Sequence, residues 1–554
     1  MPKRLSITIS GAVSLGSYEA GVLYEVLQAV AAQNRSASSE DGKIYIDVVT
    51  GASAGGMCAA ILAQKLLYDG DALAGADSNA LHDPWIVDVS LTGLLGQQPD
   101  EDPSKSMLSS DLVEAISQKY ITGRYASGLT PPAPNPHPAI DPTRPLRLGL
   151  ALSNLDGVDY WQAQLTGGKF VYTRYQDEFR RVLAPGAGSD TLATWEEIRQ
   201  AAVACGAFPY AFRVRELQRQ LSDYPDTAPG DFPPLGMRFA YTDGGVFQNE
   251  PLGMAKDFVD QIDNHLGSES RFYLYIAPGA RSSSISDPAD LVTGANANFL
   301  VTTKGLVGAV FNQARFHDWI MAEKVNQDVS VFNRRALQLQ ADLMGNGLVV
   351  GTIAQAATAY IVELQRMDPA LTDALVADAT DRLRVQFQPE YDALAASGGG
   401  EPAAEAWLRS ILVLELAADL AESDEMYILS VTATDSELAG SSLEAFAGFF
   451  DQGIRQHDYD VGRNKAKAFI AGQNAAAGPT LGPFAYDPGA PLPLDPAYNG
   501  FDVSKLPTDE RQSLKDRACD RIDTMLGEAG VPWIIRKPLM AFYVSGKVGS
   551  FLGL

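Results

Sequence analysis

Cysteine, histidine and positive charge are scarce in this chain of 554 residues. Three cysteines, Cys58, Cys205 and Cys519, lie far apart and are odd in number, which fits free thiols in a reducing compartment better than a disulfide framework. With five histidines and no Cys/His spacing of a metal site, neither zinc nor any other metal or cofactor is expected. Forty-three Lys and Arg face 68 Asp and Glu, a formal net charge of -25. Nucleic acid is thereby excluded as a partner, because phosphate binding needs cations to displace counterions. No run of ~18 apolar residues exists, so no transmembrane helix is expected. Met1-Pro2-Lys3-Arg4 followed by Leu5 to Leu15 only imitates a signal peptide: it is rich in Ser and Thr and lacks a cleavage site. A cytoplasmic protein is expected.

What is present begins with Lys43 to Gly56, an apolar run rich in β-branched residues that ends in Gly51-Ala52-Ser53-Ala54-Gly55. Met57 to Tyr68 follows with helical spacing, so Ser53 sits at a strand-to-helix turn. Small neighbours let such a turn bend sharply and expose a hydroxyl, and the helix N-terminus offers N–H groups to a developing anion. An N-cap serine would look the same if it stood alone.

Upstream, Leu5, Ile7 and Ile9 alternate with polar residues as a strand does, and Gly11-Ala12-Val13-Ser14-Leu15-Gly16 leads into a helix from Ser17. This is a second strand, small-residue loop and helix N-terminus, a donor set for an anion. It lacks the Lys-Ser/Thr of a P-loop and the Gly-x-Gly-x-x-Gly spacing, so both nucleotide fingerprints fail. A nucleophilic serine beside backbone donors suits acyl transfer, in which each oxyanion donor is worth ~3 kcal/mol.

Further on, Arg147 to Ser153 alternates as a strand and Trp195 to Ala204 reads as a helix. The helix runs into Cys205-Gly206-Ala207-Phe208-Pro209-Tyr210-Ala211-Phe212, an aromatic loop fit either to line an apolar pocket or to close a helix end. A strand then ends at Asp243-Gly244-Gly245, with Asn249-Glu250-Pro251-Leu252 behind it. Alone, Asp-Gly is a turn signal.

These segments, in this order, resemble the patatin-like phospholipase family: a glycine-rich oxyanion loop, Gly-x-Ser-x-Gly and Asp-Gly-Gly. Gly21-Val22-Leu23, Ala207-Phe208-Pro209 and Asn249-x-Pro251-Leu252 extend the likeness, over roughly residues 5 to 280. The resemblance implies a three-layer α/β/α sandwich about a mainly parallel sheet, a two-residue catalytic unit without histidine, and lipid ester as substrate. Ser53 would be nucleophile and Asp243 general base. Backbone N–H groups around Gly11, Ala12 and Val13, with Ala54, would form the oxyanion hole, and Phe208, Pro209 and Phe212 would line a substrate pocket.

One departure is plain. Ala12 and Val13 stand where the family has glycines, and Leu15 where it has a basic residue, so the donors survive only if the loop's φ and ψ are open to residues with a Cβ. A thioesterase or acyltransferase, or a lipid-binding protein with an impaired site, are the alternatives. An α/β-hydrolase would need a late histidine, for which His265, His317 and His457 are available, and several strands before the serine, where only two precede it.

A catalytic core to residue 290 is expected, then a helical elaboration over 291–425 with helical spacing in 296–326, 331–366, 369–387 and 401–422. A return strand and a helix over 443–455 follow within 426–475, and a wrap and tail over 476–554. The tail from 529 carries Arg536, Lys537 and Lys547, no acidic residue, and Trp533, Ile534, Ile535, Phe542 and Tyr543. Such a segment could meet a membrane surface or dock as a terminal helix.

Overall fold

A computed structural model describes residues 2–96, 105–125, 131–163, 169–224, 235–263, 270–279, 317–345, 350–367, 371–417, 426–441, 445–498 and 506–554, apart from a few isolated positions within these ranges. The chain divides into two compact units, one of residues 1–255, 272–318 and 428–554, the other of 256–271 and 319–427.

The first unit is built on a mixed sheet of mostly parallel strands with flanking helices, a three-layer α/β/α arrangement. Its strands are β1 (Lys3–Ile9), β2 (Ile44–Gly51), β3 (Leu146–Ala163), β4 (Lys169–Leu183), β5 (Arg215–Arg219), β6 (Met237–Asp243), β7 (Arg271–Pro278) and β8 (Ile428–Ala433). They lie in the order β5-β6-β3-β2-β1-β7-β8, with β4 also pairing β3. β1, β2 and β3 pair in parallel, as do β7 and β8, whereas β6 and β5 add antiparallel at the other edge. Every residue of β2 is buried, as expected of a central parallel strand covered on both faces. The chain leaves β1 and β2 at their carboxyl ends into α1 (Gly16–Ser36) and α2 (Ser53–Tyr68). Both loops therefore open on the same sheet edge, where open α/β sheets bind their ligands.

The strand expected to end at Ser153 continues to Ala163 and folds back as β4, a long hairpin absent from the sequence reading. Asn154 to Gly157 looks like a turn but forms a bulge: the register shifts between Ser153 and Val158, and the Asn154 side chain accepts from the N–H groups of Asp156 and Gly157, both at 3.0 Å. The helix expected over 443–455 instead spans Gln452–Ala475, because the Asp451 side chain caps its start by accepting from Gly453 N–H. After it, residues to 498 run irregularly along the start of the chain, and the Lys3 ammonium donates to the carbonyls of Thr480 (2.7 Å) and Leu481 (3.1 Å). The helix Thr508–Glu528 begins within the stretch read from sequence as wrap.

The second unit is helical, with His317–Gly345, Val350–Met367, Asp373–Gln386, Gln388–Ala395 and Gly400–Ala417. Phe332, Phe387, Trp407 and Leu408 are central to its own apolar core, and the buried Trp407 indole donates to the Ala336 carbonyl at 2.9 Å. The expected helical segment 296–326 lies mostly outside the described residues. Among those described, no helix is long and apolar enough to cross a membrane.

Candidate active site

Ser53 stands at the first position of α2, and the helix starts there, four residues before the spacing suggested. Its φ of +51° is a conformation that residues with a Cβ rarely adopt. The surrounding glycines follow from packing. A Cβ on Gly55 would lie 2.3 Å from the Ser10 carbonyl oxygen and one on Gly51 2.3 Å from that of Gly55, so the turn closes only without side chains there. Gly56 leaves room for the sulfur of Cys205 at the end of the helix Leu192–Cys205.

Asp243 ends β6, opposite Leu152 of β3. Its backbone N–H donates to the Ala207 carbonyl (2.9 Å), and its own carbonyl accepts from the Ser153 hydroxyl (2.7 Å). Gly244 follows because a Cβ there would meet the Ala151 carbonyl oxygen at 2.1 Å. One carboxyl oxygen accepts from Gly245 N–H at 2.7 Å; the other accepts from the Ser53 hydroxyl at 2.5 Å. The carboxyl is completely buried, and burial pushes its pKa up to about 7 against the opposing pull of those two donors. A carboxyl so placed changes charge near neutral pH, where a general base is most effective.

The donor loop departs from the expectation at one residue. Gly11 N–H is committed to the carbonyl of Asn249 at 2.9 Å, so it does not point at an anion. Gly11 is there for clearance: a Cβ would approach the Asn249 side-chain oxygen to 2.2 Å and the Ser53 Cβ to 3.1 Å. Among the described residues, the N–H groups of Ala12 and Val13 meet no acceptor, and Ala54 lies in the first turn of α2, where helical N–H groups have no partner within the helix. Val13 holds φ at +52°, so the loop keeps a glycine-like conformation on a β-branched residue. Such a residue costs roughly 1–3 kcal/mol and persists only where its surroundings hold it.

Beside Ser53 opens an apolar cleft of about 80 Å³, lined by Val13, Ala54, Met57, Trp85, Val113, Ile116, Phe208, Phe212 and Phe449 among others. Two of the three expected pocket residues line it. Pro209 does not: Phe212 N–H donates to the Phe208 carbonyl (3.0 Å), which turns both phenyl rings to the cleft and sends Pro209 and Tyr210 outward, with Tyr210 74% exposed. Trp85, Met57 and Phe449 were not among the pocket residues expected from the sequence; Met57 follows the serine elbow directly, whereas Trp85 and Phe449 reach the cleft from distant segments.

Among the described residues, the histidine side chains stay apart from this arrangement. His82 lies between Asp83 (2.8 Å) and Gln456 (3.0 Å), His457 is buried with a ring nitrogen 3.2 Å from the Glu437 carbonyl, and His137 is buried beside Ala139 N–H. His265 and the side chain of His317 lie outside the described residues.

A mostly parallel sheet sets the serine at the elbow after β2 and the aspartate at the end of β6, two strands away across β3, and comparison with known proteins agrees with this arrangement. Residues 7–256 match the family model described as patatin-like phospholipase, so a domain of that description covers this part of the chain. Over 370 residues the chain is 24% identical to the uncharacterized membrane protein Rv3479 of Mycobacterium tuberculosis, covering 58% of this chain and 32% of that protein. The chain thus spans about a third of the length of that relative.

Proposed function

We propose that the chain is a serine acyl hydrolase that cleaves lipid esters, of phospholipase A or lysophospholipase type, through a dyad of Ser53 and Asp243. The observation that carries this reading is the 2.5 Å hydrogen bond from the Ser53 hydroxyl to the buried Asp243 carboxyl. Asp243 takes the hydroxyl proton as the Ser53 oxygen attacks the acyl carbonyl carbon. The carbonyl oxygen becomes an anion held by N–H groups of Ala12, Val13 and Ala54. Collapse expels the alcohol, which leaves with the proton from Asp243, and an acyl ester on Ser53 remains. Water then gives a proton to Asp243 and attacks the ester; the second collapse returns that proton to Ser53 and releases the fatty acid. The walls of the cleft are almost wholly apolar, which suits the acyl part of a lipid ester.

The consecutive exposed Trp533, Ile534 and Ile535 support peripheral contact with a lipid surface. The positive charge read from the tail is largely engaged, since Arg536 and Lys537 both pair with Asp523, at 3.1 and 2.9 Å. Contact would therefore be apolar rather than electrostatic.

Hydrolysis of a p-nitrophenyl ester and of phosphatidylcholine by the wild type, Ser53→Ala and Asp243→Ala tests the proposal. Turnover of both substrates by the wild type and of neither by the folded variants is expected. A folded wild type inert on both substrates would leave the lipid-binding alternative.

A further inference from the structure

Ser14, next to the strained Val13, is buried, and its hydroxyl is engaged from both sides by a segment far down the chain. It donates to the carbonyl of Ala445 and accepts from Gly448 N–H at 3.2 Å. Gly448 must lack a side chain there, because a Cβ would come 2.6 Å from the Ser14 oxygen. Ala445 itself holds φ at +68°, so a positive-φ residue stands on each side of this contact, Val13 beside Ser14 and Ala445 opposite it. One residue beyond Gly448, Phe449 enters the wall of the apolar cleft beside Ser53. Phe446 stacks edge-on against both Phe449 (5.9 Å between centroids) and Phe208 of the aromatic loop (5.4 Å).

The segment is itself braced. Buried Arg455, in the helix Gln452–Ala475, donates to the carbonyl of Gly448 at 2.9 Å and, with its other amino group, to that of Ile86 at 3.0 Å. Ile86 neighbours Trp85, which lines the same cleft as Phe449. A buried guanidinium satisfied by backbone carbonyls fixes its acceptors strictly, since each lost bond would strand a charge. Buried Asp458 of the same helix accepts from the N–H groups of Ala439 (2.8 Å) and Gly440 (2.9 Å), and a Cβ on Gly440 would meet Leu15 at 3.0 Å. Ala439, Gly440, the segment from Ala445 and the helix that braces it lie beyond 256, outside the stretch that matches the phospholipase model.

We propose that the segment Ala445–Arg455 is a working part of the active site: it clamps the donor loop through Ser14, which thereby acts as a positioning residue, and closes the acyl cleft with Phe449. The inference rests on the reading of Ser53 and Asp243 as the reacting pair. Its physical basis is the Val13 conformation. A loop that has replaced glycine with a β-branched residue needs an external tie to keep its N–H groups aimed, and the Ser14 bonds supply one. The aromatic wall limits how long a chain the cleft accepts.

The test is steady-state kinetics of the full chain on p-nitrophenyl esters from butyrate to palmitate, with thermal melting of each variant. Ser14→Ala should lower kcat about tenfold to a hundredfold, as misplacement of a reacting group does, with KM within about twofold. Gly448→Ala, which presses on Ser14 from the other side, should give the same split. Phe449→Trp should move the preferred chain to shorter esters and Phe449→Ala to longer ones. Folded Ser14→Ala with wild-type kcat, or a chain preference unmoved by both Phe449 variants, overturns the proposal. If the wild type turns over no ester, the catalytic reading fails first. Fluorescence titration with cis-parinaric acid then tests the wall separately: binding weakened about tenfold by Phe449→Trp supports it, and unchanged binding refutes it.

Discussion

The Ser53 hydroxyl meets one oxygen of Asp243 at 2.5 Å while Gly245 N–H meets the other at 2.7 Å, and nothing exposes the carboxyl to water. Two donors favour the ionised form and burial disfavours it; burial wins, with a pKa of about 7. If only the ionised form can accept the serine proton, kcat/KM should rise with pH through about 7 and then level off. A profile flat from about pH 5 upward would mean that another group limits the reaction.

The same shift affects stability. Asp243 has a folded pKa raised above the unfolded ~3.9. The folded state therefore binds the proton more tightly, so its contribution is fully present below about pH 4 and is lost as pH rises through about 7. Asp243→Asn, which mimics the neutral carboxyl, should melt higher than the wild type at pH ~8, with the difference shrinking toward pH ~4. Equal melting at both ends would remove the buried charge from the account.

Gly55 is a test of local packing. Gly55→Ala would set a Cβ 2.3 Å from the Ser10 carbonyl oxygen and 2.6 Å from that of Ile9, both backbone atoms at the end of β1. A loss of about 1–3 kcal/mol in urea unfolding is expected, the usual cost of overpacking, together with lower activity, since the clash lies between the serine elbow and the donor loop. Stability and activity equal to wild type would show that the two loops pack less closely.

Membrane contact can be examined at Trp533 and Ile534, exposed by 68% and 66%. Their joint change to serine should reduce sedimentation with phosphatidylcholine vesicles while the melting temperature stays put. Because Asp523 engages both neighbouring cations, added salt should matter little. Binding lost in salt but indifferent to these side chains would point to electrostatic contact instead.

Much of the fold's centre was legible because period-two alternation in β1 and the β-branched run of β2 are direct imprints of buried strands. Ser53 and Asp243 were legible for another reason: their turns demand glycines, and glycines at such spacing are visible. What could not be read was contact across long separations. The engagement of Gly11 N–H by Asn249 spends a donor that the loop's composition had seemed to offer. The hairpin of β3 and β4 was hidden by Asn154 to Gly157, whose turn residues form a bulge. Ser14 was legible as part of the donor loop, but nothing in the sequence pairs it with Gly448 or brings Phe449 to the cleft beside Ser53. Pro209 was misassigned because a loop's composition does not tell which side chains its turn sends outward.

The central claim is that Ser53 is a nucleophile activated by Asp243, and its most direct measurement is peptide mapping by mass spectrometry after reaction with a fluorophosphonate. One adduct on Ser53 is predicted, absent in Ser53→Ala and formed at least ~100-fold more slowly in Asp243→Asn. No adduct on the folded wild type, or labelling at a wild-type rate in Asp243→Asn, would contradict it.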